Sequence, residues 1–227
     1  MPPDEASFAD APARNVGGGG FSGIPFAALD FYEDLEADNS RVWWQAHKNF
    51  YRGTVRAPME ALAAALEDEF GTAKVFRPYR DVRFSKDKTP YKTHQGLFVA
   101  TAPGTGYYAQ IDAAGLSTAG GSYALAPEQL ARLRTAVDDD VRGAELEGIV
   151  DALAHAGFTI GGDRLKTHPR GFPADHPRIR LLRHRSLTAR RDHGCPEWVQ
   201  TPVALDRVRA SWRAVGPLVE WLTQVVG

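Results

Sequence analysis

A change of hydrophobic period in the middle of the chain constrains the fold more than any other feature. Four short segments there have the alternation and residue types of β-strands: Arg80–Phe84, Gly96–Thr101, Tyr107–Asp112 and Leu116–Tyr123. The connections between them contain turn residues and are too short for a crossover helix. Gly120 and Gly121 in the last segment indicate a bulge or a close approach of another backbone. We therefore predict an antiparallel meander.

Helical periodicity lies on both sides of these strands. Helices are predicted to begin at Pro25, Ser40, Pro58, Pro127, Glu145 and Leu205. Gly71 is expected to end the third helix, and Gly216-Pro217 to interrupt the last one. Two further predictions are a hairpin formed by Phe158–Ile160 and Arg164–Lys166, and a strand at Leu187–Arg190. The fold class predicted is α+β, a single domain with the antiparallel meander sheet packed against several helices.

Length and composition match an ordinary globular protein. The chain has 227 residues, 43% of them hydrophobic and 24% charged, which suits one sizeable core. Residues 1–20 are rich in Pro and Ala and end in four glycines, so we predict a disordered leader, followed by one domain over residues 21–227. The single Cys195 excludes an internal disulfide, and no signal peptide or membrane span is apparent, which favours the cytoplasm.

The net charge of −1 conceals two basic segments. Residues 77–94 carry six Lys and Arg against two Asp, a net charge of +4. Residues 164–191 carry nine Lys and Arg against one Asp, a net charge of +8. If the two segments meet in space, they form a basic cleft opposite an acidic remainder. The alternative is that these cations lie on solvated surfaces or form structural ion pairs.

The first basic segment is the best candidate for a site, because guanidinium, ammonium and hydroxyl groups all bind phosphate or carboxylate oxygens. The predicted ligand-binding residues are Arg80, Arg83, Ser85, Lys86, Lys88, Tyr91, Lys92, Lys166 and Arg170. Three histidines are weak candidates for proton transfer: His94, His168 and His176.

Familiar catalytic motifs are absent from the sequence: it has no Gly-x-Ser-x-Gly, no P-loop, no His-Glu-x-x-His and no Cys-x-x-Cys. A metal set drawn from His168, Asp175 and His176 matches no common ligand spacing, so no metal is predicted. Asp175 is instead expected to cap a short helix begun by Pro177.

The longest motif also carries a family resemblance. The run from Phe76 to Thr93, FRPYRDVRFSKDKTPYKT, resembles the signature of the DUF2461 family, uncharacterised proteins of bacteria and fungi. Asn39–Trp44 resembles the family's Asn-x-Arg-x-Trp-Phe segment, with Trp44 in place of the usual Phe. Tyr107–Gly121 and Pro169–Pro177 match as well, so the resemblance covers roughly residues 21–190. It implies no activity, cofactor or catalytic residue.

The function predicted from the sequence is therefore binding, with or without processing, of a phosphorylated or other anionic small molecule at a basic cleft. One alternative is a nucleic-acid-binding module, which the near-neutral overall charge disfavours. The other is a structural or interaction protein without catalysis. Whether the chain is an enzyme, and which cofactor it uses, are left open, and no membrane partner is expected.

Overall fold

The computed structural model describes residues 20–83 and 86–227, and it has the predicted α+β fold. Its α-helices are α1 (Ala27–Ala37), α2 (Arg41–Phe50), α3 (Ala57–Phe70), α4 (Pro127–Asp138), α5 (Asp140–His155), α6 (Ile179–Leu182) and α7 (Val203–Val226). Its strands are β1 (Ala73–Val75), β2 (His94–Ala102), β3 (Thr105–Asp112), β4 (Gly115–Ser122), β5 (Thr159–Gly161) and β6 (Leu187–Gly194). The predicted leader lies, apart from Gly20, outside the described residues.

The chain divides into two compact units. The first contains the described residues through Leu97, with Gln110–Leu116 and His193–Arg207. The second contains Phe98–Ala109, Ser117–Asp192 and Val208–Gly227. The prediction of one domain over residues 21–227 stays a prediction.

The strands form one antiparallel sheet in the order β1-β2-β3-β4-β6-β5. The predicted meander is confirmed as β2, β3 and β4. Close approach at the paired glycines is also confirmed. A Cβ on Gly121 would lie 2.3 Å from the Leu187 carbonyl oxygen, and one on Gly120 would lie 2.6 Å from a Val215 methyl group. Glycine at both positions therefore lets β6 and α7 pack tightly on β4.

In the first unit, α2 and α3 are continuous rather than separate. The Ser40 hydroxyl caps α2 by accepting from the Trp43 amide at 3.1 Å, as predicted. A π-helical turn at Tyr51–Arg56 then joins α2 to α3. Pro58 lacks the amide hydrogen that a hydrogen bond inside a helix needs. Because the π-helical segment ends just before α3, Pro58 lies in the first turn of α3, where that hydrogen bond is not required. Gly71, with φ of 95°, ends α3 as predicted.

In the second unit, α7 continues through Gly216 and Pro217. The predicted interruption is therefore wrong. Val215, Leu218 and Val219 around it are all buried, so packing of the apolar face maintains the helix despite the proline. The predicted helix start at Glu145 also needs correction, because α5 begins at Asp140. Asp139 ends α4 and caps α5, because its carboxylate accepts from the amides two and three residues later.

Three local predictions are wrong. Arg80–Arg83 form no strand, because the Asp81 carboxylate accepts from the Arg83 amide at 3.1 Å and so favours a turn; Phe84 lies outside the described residues. The predicted hairpin does not form, because β5 pairs with β6 and Arg164 bridges His184 instead. The short helix α6 begins at Ile179 rather than at Pro177, and Asp175 does not cap it.

Candidate functional site

The segment at the centre of the predicted site forms a loop closed by a short antiparallel stem. Tyr79 and Tyr91 face each other as an isolated β-bridge, and the Arg80 amide donates to the Pro90 carbonyl at 2.9 Å. We call residues 80–90 the basic loop. The loop belongs to the first unit, and its two ends are held together by backbone bonds rather than by a strand of the sheet.

Tyr91 attaches this stem to the helices. The Asn39 side-chain oxygen accepts from the Tyr91 amide, and the Asn39 side-chain nitrogen donates to the Tyr91 carbonyl, both at 3.1 Å. The Tyr91 ring, only 3% exposed, stacks on Trp44 with centroids 4.2 Å apart and planes 11° apart. Burial raises the pKa of the Tyr91 hydroxyl. The ring of this predicted ligand-binding residue therefore lies in the aromatic core under the loop.

Arg80 cross-links the basic loop from inside. Its Nη1 donates to the Asp87 carboxylate at 2.5 Å and to the Thr89 hydroxyl at 2.6 Å. The Asp87 carboxylate also accepts from the Thr89 amide at 2.9 Å. These bonds, those from Thr89 above all, lower the pKa of Asp87 to about 2. The carboxylate is therefore charged at neutral pH and holds the two sides of the loop together.

Arg83 has its carboxylate partner two residues away. Its guanidinium donates to both oxygens of Asp81 at 2.5–3.1 Å, while 72% of the Arg83 side chain stays exposed. The bonds from Arg83 lower the pKa of Asp81 to about 2. Both carboxylates of the loop are thus paired with arginines of the loop itself.

The remaining predicted residues of this segment have different environments. Lys88 Nζ donates to the Val82 carbonyl at 2.9 Å, which closes the loop a second time. Lys86 is exposed and has no hydrogen bond or ion pair with any residue that the structure describes. Lys92 lies 5.3 Å from the centre of the Phe76 ring. His94 begins β2 and is half-buried. Ser85 lies outside the described residues.

A buried polar network under the loop is not predicted from the sequence. The Tyr51 hydroxyl donates to the Gln95 side-chain oxygen at 2.5 Å, and the Gln95 amide nitrogen donates to the Phe76 carbonyl at 2.8 Å. Burial raises the pKa of Tyr51 to about 12. Trp44 Nε1 is buried and has no partner among residues 20–83 and 86–227. In the sequence, Gln95 is only a polar residue next to an apolar strand. The alternation of polar and apolar residues does not predict that its side chain is buried.

The predicted residues of the second basic segment lie in the second unit. Lys166, His168 and Arg170 are exposed. His176 is bonded at both ring nitrogens: Nε2 lies 3.0 Å from the Asp138 carboxylate, and Nδ1 accepts from the Arg178 amide at 3.0 Å. His176 therefore links α4 to the segment before α6. The meeting of the two basic segments in one cleft stays a prediction.

Arg178 organises this part of the second unit, although the sequence prediction does not include it. Its side chain is 10% exposed, and Nε lies 3.1 Å from the Glu147 carboxylate. Its Nη atoms donate at 3.3 Å to the carbonyls of Val137, Asp138 and Asp140. A Cβ at position 143 would lie 2.8 Å from the Arg178 Cδ, so Gly143 leaves the space that the guanidinium fills. These partners lie 31–41 residues away, and no local pattern reveals them.

Metal-binding side chains and the single cysteine are the other candidate groups in the described part of the chain. There, no group of three or more His, Cys, Asp or Glu side chains has an arrangement that holds a metal ion. Cys195 is exposed as a free thiol. None of the described helices is long and apolar enough to cross a membrane.

Comparison with known proteins agrees with the motifs around the basic loop. A family profile described as conserved hypothetical protein DUF2461 matches residues 27–221. The chain belongs to the DUF2461 family. The predicted resemblance is therefore confirmed, and the match, which covers nearly the whole chain, includes the basic loop and Arg178. No curated protein and no solved structure matches the chain.

Proposed function

We propose that this DUF2461 protein binds a phosphorylated or other anionic small molecule at the basic loop. One observation carries the proposal: the segment that contains the loop has an excess of positive charge, although both of its carboxylates are paired with arginines. Residues 77–94 have six Lys and Arg against two Asp, and both Asp are bonded to arginines of the same segment. A net charge of +4 on a segment of this length attracts anions.

The bonds inside the loop support the same proposal. Arg80 with Asp87, and Lys88 with the Val82 carbonyl, join described residues on the two sides of the loop. Residues that are already held by such bonds lose less conformational entropy when a ligand binds. Lys86 and the exposed guanidinium of Arg83 are the side chains that we expect to contact the anion.

A structural role for the loop is the second candidate, and the Arg80–Asp87 pair favours it. An arginine that already has a carboxylate and a hydroxyl as partners does not need a ligand. In that case the loop's charges only hold the stem on the aromatic core.

Thermal unfolding with and without anions separates the two roles. The wild type, Lys86→Ala and Arg83→Ala are compared in phosphate, pyrophosphate and mononucleotides, each against chloride of equal ionic strength. Lys74→Ala is the matched control, because Lys74 is an exposed lysine on β1 outside the loop. A bound anion stabilises the wild type by about 2.7 kcal/mol at a hundredfold excess over its dissociation constant.

For a binding loop, we expect Lys86→Ala and Arg83→Ala to weaken this anion effect while Lys74→Ala retains it. Both variants should unfold near the wild-type temperature in chloride, because the two residues are exposed. The proposal is wrong if no anion shifts the wild-type curve beyond its chloride control, or if the loop variants respond as the wild type does.

A further inference from the structure

A second arginine in the second unit has an environment unlike that of Arg178. Arg134 lies on α4 and is half-buried, and its Nε is buried without a hydrogen-bond partner among the described residues. No ion pair or hydrogen bond to its other guanidinium nitrogens occurs in residues 20–83 and 86–227 either. A guanidinium nitrogen that is buried without a hydrogen-bond partner is costly, because a buried polar group needs hydrogen bonds.

The Arg185 guanidinium is a second cation that acts on Arg134. Burial first, and then the charge of Arg185, lowers the pKa of Arg134. Arg185 follows α6, which packs against α4, so the two arginines come from adjacent elements. Two neighbouring guanidinium groups repel each other unless an anion lies between them.

The backbone beside Arg185 adds more positive charge. Residues 163–165 run antiparallel to residues 183–185, with the Arg185 amide donating to the Asp163 carbonyl at 2.7 Å. Arg164 and Arg183 both lie close enough to His184 to act on it electrostatically. Asp163 is the carboxylate of this group, and it is ion-paired with Arg185. We call Arg134, Arg164, Arg183 and Arg185 the arginine cluster. With Asp163 these residues carry a net charge of +3.

We propose that Arg134 and Arg185 bind a phosphate group, as inorganic phosphate or as a phosphate monoester. The planar donor fork of a guanidinium matches two oxygens of a phosphate group. A phosphate dianion can accept from two guanidinium groups at once and balances more of their charge than a single carboxylate does. The bound phosphate supplies the partner that Arg134 lacks and removes its repulsion with Arg185. This site belongs to the second unit and does not depend on the function proposed for the basic loop.

Calorimetric titration tests this site directly. Inorganic phosphate, and separately ribose 5-phosphate, are titrated into wild type, Arg134→Met and Arg185→Met in chloride of constant ionic strength. Arg180→Met is the matched control, because Arg180 lies on α6 with a 75% exposed side chain and a distant partner in Asp151 at 3.9 Å. Lys86→Ala is added to separate this site from the basic loop.

We expect phosphate to bind the wild type, and both Arg134→Met and Arg185→Met to bind it about tenfold more weakly or worse, since each loses charged hydrogen bonds. Arg180→Met and Lys86→Ala should retain wild-type affinity at this site. Without phosphate, Arg134→Met should melt no lower than the wild type, because the substitution removes a desolvated and repelled charge. Tighter binding of ribose 5-phosphate than of inorganic phosphate identifies a monoester site, and the reverse identifies a site for the free ion.

Three results overturn the proposal: no phosphate binding above the chloride control, undiminished binding by Arg134→Met, or undiminished binding by Arg185→Met. If Arg134→Met does not fold, Arg185→Met alone decides, because the Arg185 side chain is 52% exposed and its loss disturbs no core. Loss of phosphate binding in Lys86→Ala but not in Arg185→Met supports the basic loop and refutes this second site.

Discussion

The basic loop and the surroundings of Arg178 use arginine in opposite ways. In the loop, Arg80 and Arg83 are paired with carboxylates seven and two residues away, and Arg83 stays largely in water. Arg178 is 10% exposed and joins α4 and α5 to the segment before α6, through partners 31–41 residues away. A charge paired locally at the surface contributes little to folding, whereas a buried charge that joins distant elements is required for them to pack.

This comparison leads us to expect different consequences of substitution in the two regions. The loop's cations are paired locally, so we expect their substitution to cost little stability. Arg178 donates to three carbonyls and lies against the Glu147 carboxylate, so its donors are already used within the protein. Arg134, in the same unit, is half-buried, and its Nε has no hydrogen-bond partner among the described residues.

The largest effect should come from Arg178→Met. The substitution retains the volume of the side chain but leaves the carbonyls of Val137 and Asp138 without donors, so we expect a loss of about 3 kcal/mol in the free energy of unfolding. Urea unfolding measures it. The matched control is Arg83→Met in the basic loop, for which we expect less than about 0.5 kcal/mol. Equal losses in the two variants would remove the distinction between the regions.

Asn39→Ala should have the next largest effect, because it tests how the basic loop is held. The variant leaves the Tyr91 amide and carbonyl without the two bonds that Asn39 makes, which should cost about 2 kcal/mol of unfolding free energy. Asn49→Ala, an exposed position on α2, is the control and should be near neutral. A neutral result for Asn39→Ala in urea unfolding would mean that the stacking of Tyr91 on Trp44 anchors the stem by itself.

The smallest effect should be a pH dependence that comes from His184 beside the arginine cluster. His184 is 3% exposed, its Nδ1 donates to the Ser186 carbonyl at 2.9 Å, and its pKa is lowered by burial and then by the charges of Arg164 and Arg183. Below a pH of about 6.5, His184 therefore binds a proton more readily in the unfolded chain than in the folded chain. Stability should fall as the pH drops below that value, by at most about 1.4 kcal/mol per pH unit.

His184→Gln retains a donor for the Ser186 carbonyl and should flatten this slope relative to the wild type. His168→Gln, at an exposed position, should leave the slope unchanged. The measurement is urea unfolding at pH values from 7 to 5.5. Most carboxylates do not titrate in this range, because ordinary carboxyl pKa values are near 4. An identical slope in the wild type and His184→Gln would show that folding does not lower the pKa of His184.

Features set by neighbours in the chain were predicted correctly from the sequence. The Ser40 cap, the end of α3 at Gly71 and the meander of β2, β3 and β4 depend on local periodicity, short connections and the backbone freedom of glycine. The location of the basic loop was also apparent, because its charges and turn residues are contiguous.

Other features follow from contacts that the hydrophobic pattern does not contain. Arg80–Arg83 have a strand-like alternation, yet short-range side-chain bonds to Asp81 and Asp87 favour a loop. Pro217 lies inside a continuous helix because the residues around it are buried against the rest of the fold. No local pattern distinguishes Arg178 from Arg134. Only packing gives Arg178 four partner residues, and only packing brings the charge of Arg185 to act on Arg134. Burial and pairing across tens of residues determine what a charge does, and a local pattern does not contain that information.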